Sequence, residues 1–225
     1  MKELLEKIIT FIPEYLMGLG KLLARPKTFL AKTRPNTKSG FRSGLQFLAI
    51  SLVLFVISLT PLLPEGSDIW KNLAINSLSE LLAVVVLACI TRLAWLIVGG
   101  RASTRSLLTL YSYVASVVLV LSALTLIIAD GTARVFNPAL HAAIKQAQAA
   151  HQPIPAQFSN AYLAAVGVLI CGFLVLSVWF VASWGAFRAL NQTTRGRSLV
   201  AFILTNILSL PATFVMFLIS RALSP

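Results

Sequence analysis

Acidic residues are scarce in this chain. Seven Asp and Glu stand against 19 Lys and Arg, and charged residues make up only 12% of the 225. A water-soluble domain ordinarily carries about a quarter, so water is not the main solvent of this sequence. Histidine and cysteine are equally sparse, at two each. His141 and His151 are separated by about 15 Å if helical, too far to chelate, and no cysteine or carboxylate cluster joins them, so no metal site is expected. No Ser, His and acid arrangement is legible on one membrane side. Gly99-Gly100-Arg101 lacks the Lys-Ser/Thr pair and preceding strand of a phosphate loop. These gaps point away from an enzyme and from any cofactor. Cys89 and Cys171 both fall in apolar stretches, where cysteine behaves as a small hydrophobe and reports no redox compartment. No continuous apolar run precedes residue 45, so no cleavable signal peptide is expected, and the first span would itself direct targeting.

What is present is apolar sequence in long blocks. Hydrophobic residues form 57% of the chain, and its mean hydropathy is +0.84. Five stretches, at residues 45–63, 73–98, 107–129, 160–186 and 199–219, reach or approach the twenty or so apolar residues needed to cross a bilayer core of about 30 Å. Hydrocarbon offers backbone amides no partner, so such segments span as α-helices. The expectation is an all-α membrane protein with five transmembrane helices. A five-span domain over residues 45–225 follows a basic arm and linker over residues 1–44.

The surplus of positive charge reads as topology and not as a nucleic-acid footprint. Residues 1–44 carry nine Lys and Arg; Arg92, Arg101 and Arg105 flank the second connector, and Arg188, Arg195 and Arg197 flank the fourth. The other side receives only Lys71, Arg134, Lys145 and Arg221. Positive residues collect on the cytoplasmic side, which places the N-terminus inside and, after five crossings, the C-terminus outside. Each Lys or Arg beside an anionic leaflet contributes about 1 kcal/mol. Lys21, Arg25, Lys27, Arg101, Arg105, Arg195 and Arg197 are therefore the candidate headgroup contacts, with anionic lipids the expected partners.

The arm has a pattern of its own. Leu4, Ile8, Phe11, Tyr15, Leu19 and Leu22 recur at spacings of three and four, on one helical face. Pro13 should break this helix in two or kink it, and Arg25-Pro26 should end it. Such a helix can lie in the membrane interface or pack beneath the cytosolic ends of the bundle. Residues 34–44 read as a polar linker. Further on, Pro61 and Pro64 should stop the first span, with Trp70 at headgroup level. Gly99-Gly100 should end the second span, Ser103 should cap the third, and Asp130-Gly131 should close it. Asn137-Pro138 should start a short outer helix, ended by Pro153 and Pro155.

Polar residues inside the spans are the remaining candidates. Glu80 is placed near the outer edge and Arg92 within snorkelling reach of the inner one, too far apart on one helix to pair. Pro211 deprives the carbonyl near Ile207 of its helical donor, and Asn206 could donate across to a neighbouring helix. Ser112, Ser116, Gly167, Cys171 and Gly172 could let helices approach closely.

Residues 88–103, reading ACITRLAWLIVGGRAS, followed by Leu107-Leu108, Tyr111 and Tyr113, resemble the YIP domain, a family of five-span membrane proteins named for binding Ypt/Rab GTPases. The segment from Leu23 to Lys27, with Arg25-Pro26, is similar to the short Pro-containing segment before the first span of prokaryotic members. The segment from Phe187 to Leu190, with Arg195 and Arg197, resembles the family's fourth connector. Eukaryotic members carry an acidic, aromatic N-terminal region that this chain lacks, so Rab binding is not implied. The resemblance implies a short bacterial-type member in the inner membrane and brings no catalytic residues. The leading expectation is a non-enzymatic membrane-organising, trafficking-like or accessory subunit, acting through helix contacts and anionic lipid. Its partners would be lipids, a second copy or other integral subunits. The alternative is a small oligomeric transporter or channel using Asn206 and Pro211 with Tyr111 or Tyr113.

Overall fold

The computed structural model describes residues 2–60, 69–149 and 160–223. All regular structure among them is helical, in eight helices: α1 (Lys2–Ala24), α2 (Pro26–Lys32), α3 (Lys38–Leu59), α4 (Ile69–Ile97), α5 (Thr104–Phe136), α6 (Pro138–Ala149), α7 (Asn160–Asn191) and α8 (Arg195–Leu223). Five of these, α3, α4, α5, α7 and α8, are long and apolar enough to cross a membrane. Pro61, Pro64, His151, Pro153 and Pro155 lie outside the described residues.

Some boundaries differ from the sequence reading and others agree with it. Most of residues 34–44 is helical and not linker. Thr37, in extended conformation, caps α3, its Oγ1 accepting from the Gly40 amide at 3.0 Å. The arm helix runs through Pro13 without ending there. It ends at Arg25-Pro26, as the sequence implies, and the Arg25 φ of −142° suits a residue before proline. Ser103 does cap α5, accepting from Ser106. That helix does not close at Asp130-Gly131 but continues to Phe136. The overhang is tied down by α6, where His141 Nε2 meets Asp130 Oδ1 at 2.8 Å. As expected from Asn137-Pro138, α6 begins directly after Asn137.

α5 is the central helix. It packs along α3 and α7 and touches α4, while α8 leans on α4 more than on its sequence neighbour α7. Half of α5's most apolar stretch is buried, against 6% of that of α7. Between helices in lipid, attraction comes from close fit and hydrogen bonds, because lipid tails are as apolar as Leu. Gly172 supplies one such fit: a Cβ there would overlap the Thr125 side chain on α5. Gly167 has no such neighbour, and Cys171 faces outward, as does Cys89; neither forms a disulfide. Ser112 and Ser116 are fully buried, their hydroxyls donating to the carbonyls of Leu108 and Ser112. Ser51, Thr125 and Thr205 do the same one turn back in their own helices, which is how hydroxyls are accommodated where water is absent.

Candidate functional site: the basic end of the bundle

The α4–α5 loop, the α7–α8 loop and the arm meet at one end of the bundle. α4 ends at Gly99, whose φ of +81° is a conformation suited to glycine, and the Gly99 and Gly100 amides donate back to Leu96 and Trp95 carbonyls. Asn191, fully buried at the end of α7, joins the two loops. Its Oδ1 accepts from the Ala102 amide at 3.3 Å, and its Nδ2 donates to the Phe187 carbonyl at 2.9 Å. Gly100 must lack a side chain here, since a Cβ would come within 2.5 Å of Asn191 Oδ1 and 2.8 Å of the Trp95 carbonyl.

Above this clasp sits an aromatic cluster. Trp184 stacks on Trp95 at 5.4 Å and on Phe187 at 5.3 Å, and meets Phe202 edge-on at 5.2 Å. Its Nε1 donates to the Ser198 carbonyl on α8 at 3.1 Å. The cluster thus ties α4, α7 and α8 together. Trp95 Nε1, Thr91 Oγ1 and Arg92 Nη1 are buried within two turns of α4, without a hydrogen-bond partner among the described residues.

The arm docks on the other side of the same end. Tyr15 Oη and Ser51 Oγ are 2.7 Å apart, and a ladder of rings runs Tyr15–Phe47 (4.6 Å), Phe47–Tyr113 (5.2 Å), Tyr113–Phe29 (5.6 Å). One aromatic seam therefore links α1, α3, α5 and α2. Leu22 and Leu30 are completely enclosed. The turn after α2 also joins in: the Ser106 hydroxyl donates to Asn36 Oδ1, and the Thr109 hydroxyl lies 3.4 Å from the Pro35 carbonyl. Burial holds the Tyr15 phenol above its ordinary pKa, with the Ser51 hydrogen bond working against that rise.

All seven candidate headgroup residues, Lys21, Arg25, Lys27, Arg101, Arg105, Arg195 and Arg197, are exposed at this end. The Lys27 stem lies against Gly185 of α7, and Arg197 reaches over Gly99. Between α1 and α2 an open groove of about 560 Å³ is lined by Met17, Gly20, Ala24 and Phe29 along its apolar part and by Lys21, Arg25 and Lys32 along its charged part. Ile12, Leu16 and Met17, on the arm's outer side, are about half exposed. The arm therefore packs on the bundle through one apolar face and presents a second outward.

The intramembrane candidates do not converge. Glu80 and Arg92 are half-buried on α4 and form no ion pair among the described residues. Tyr113 is buried in the ring ladder, Tyr111 packs between two parts of the core, and Asn206 and Pro211 are exposed on α8. Contrary to the expectation of a cross-helix bond, Asn206 Nδ2 donates within its own helix, to the Phe202 carbonyl at 2.8 Å. Two features escaped the sequence reading: the Asn191 clasp and the ring ladder. Asn191 had a faint signal, an amide side chain at the foot of an apolar helix just before a turn. No family model, characterised protein or solved structure matches this chain.

Proposed function

We propose that this is a non-enzymatic, polytopic membrane protein whose basic end faces the cytoplasm and engages anionic lipid, as a membrane-organising or accessory subunit. The observation that carries it is the groove between α1 and α2, where Lys21, Arg25 and Lys32 border an apolar trough beside the exposed Leu16 and Met17. A lipid phosphate satisfies the cations, and the adjoining acyl chain covers the trough. The arm is fixed in place by Tyr15, Leu22 and Leu30, so the groove exists before a ligand arrives, and little ordering entropy opposes binding. The resemblance of residues 88–103 to the YIP domain agrees with this reading, and with it we propose the bacterial inner membrane as the location.

Native mass spectrometry from nanodiscs containing phosphatidylglycerol and phosphatidylcholine tests it. Retained lipid should be mainly phosphatidylglycerol. Replacing Lys21, Arg25 and Lys32 together by Gln should cut that preference roughly tenfold or more, at about 1 kcal/mol per cation. Equal retention of the two lipids by the unmodified protein would overturn the reading.

A further inference from the structure

Asn206 sits in an unusual place for an amide. It lies eleven residues beyond Arg195, about 16 Å along the helix, which is half of a bilayer core of about 30 Å. α8 packs on α4, with Ser198, Ala201 and Thr205 buried. Its outer face carries Leu199, Ile203, Asn206, Leu210 and Thr213, all exposed. Their spacings alternate four and three, the repeat of a helix-pairing seam, and Asn206 is its middle member. One Nδ2 hydrogen is used on the Phe202 carbonyl. The other hydrogen and Oδ1 have no partner among the described residues. Pro211, exposed on the same helix, has no amide hydrogen, so the Ile207 carbonyl also loses its helical donor. Hydrocarbon can satisfy none of these groups.

We propose that the α8 face is the interface of a parallel, twofold-symmetric homodimer, with Asn206 of each copy hydrogen-bonded to Asn206 of the other. A second copy is the occupant that fits. An amide with one free donor and one free acceptor is complementary to itself across a twofold axis. The same axis places an identical Leu199–Ile203–Leu210 stripe opposite the first, and it sets both copies at equal depth. Apolar residues alone would leave lipid as an equally good neighbour; the amide removes that equivalence. The inference is independent of the lipid-binding groove, which lies on the arm.

Donor- and acceptor-labelled full-length chains in phosphatidylcholine vesicles test it by energy transfer as lipid dilutes the protein. The unmodified protein should form dimers, Asn206→Leu should weaken association about tenfold or more, and Asn206→Gln should retain most of it. In a C89S/C171S background, Ile203→Cys should give a disulfide-linked dimer under mild oxidation. Val178→Cys, at a still more exposed position on α7, should not. Association unchanged by Asn206→Leu, a monomer at every dilution, or equal crosslinking at positions 203 and 178 would each overturn the proposal.

Discussion

Asn191 shows how much one buried amide can hold. Its two hydrogen bonds fix the α4–α5 loop to the foot of α7, and Gly100 is the residue that leaves room for it. Asn191→Leu strands the Ala102 amide, a loss of about 1–3 kcal/mol. Gly100→Ala should cost a similar amount by pushing the loop off the clasp; unfolding of both variants in mild detergent measures this. Tyr15 gives a pH-dependent counterpart. Its folded pKa is raised, so the contribution is full below the ordinary phenol pKa of about 10 and is lost as pH climbs through the folded value. Arm docking, followed as resistance of the Lys27–Thr28 bond to proteolysis, should weaken on that alkaline rise. Tyr15→Phe should abolish the alkaline dependence while costing only about 1 kcal/mol at neutral pH, because Ser51 keeps the Phe47 carbonyl as a partner.

Among the helices, those whose apolar residues face lipid were the most legible. The α7 stretch is apolar all round, and its length alone declares a span. Terminal signals worked where the capping chemistry is local: Ser103 and Asn137-Pro138 mark real starts, and Gly99-Gly100 a real stop. They failed where tertiary contact decides. Gly131 reads as a terminator, yet α5 passes through it because α6 folds back to pair His141 with Asp130. Residues 38–44 read as linker for want of apolar residues, although Thr37 caps a helix there. The arm's stripe announced a buried face without saying what buries it. Phe47, which meets Tyr15 and is itself backed by Tyr113, belongs to a distant segment with no periodicity in common. Leu22→Lys, placing a charge in a fully enclosed site, should undock the arm and expose its junctions to protease while leaving the five spans inserted. Gly172→Val should separate α5 from α7 and lower thermal stability by about 1–3 kcal/mol, read from the unfolding transition.

For the molecule as a whole, its polarity is the organising fact. The docked arm and two clasped loops gather Lys21, Arg25, Lys27, Arg101, Arg105, Arg195 and Arg197 at one end, whereas α6, whose His141 meets Asp130 of α5, lies at the other. The sequence showed this asymmetry as a charge count; folding turns it into a surface with a groove and a rigid mount. What no pattern in the chain reveals is the fit of arm to bundle, since that depends on ring contacts between residues more than thirty positions apart. The direct measurement is labelling of single cysteines by a membrane-impermeant maleimide in the C89S/C171S background. Arg101→Cys, at the basic end, should react only after the cells are permeabilised, and Ala142→Cys, on α6, should react in intact cells. Labelling of both positions from one side, or the reverse order, would contradict a five-span protein with its basic end in the cytoplasm.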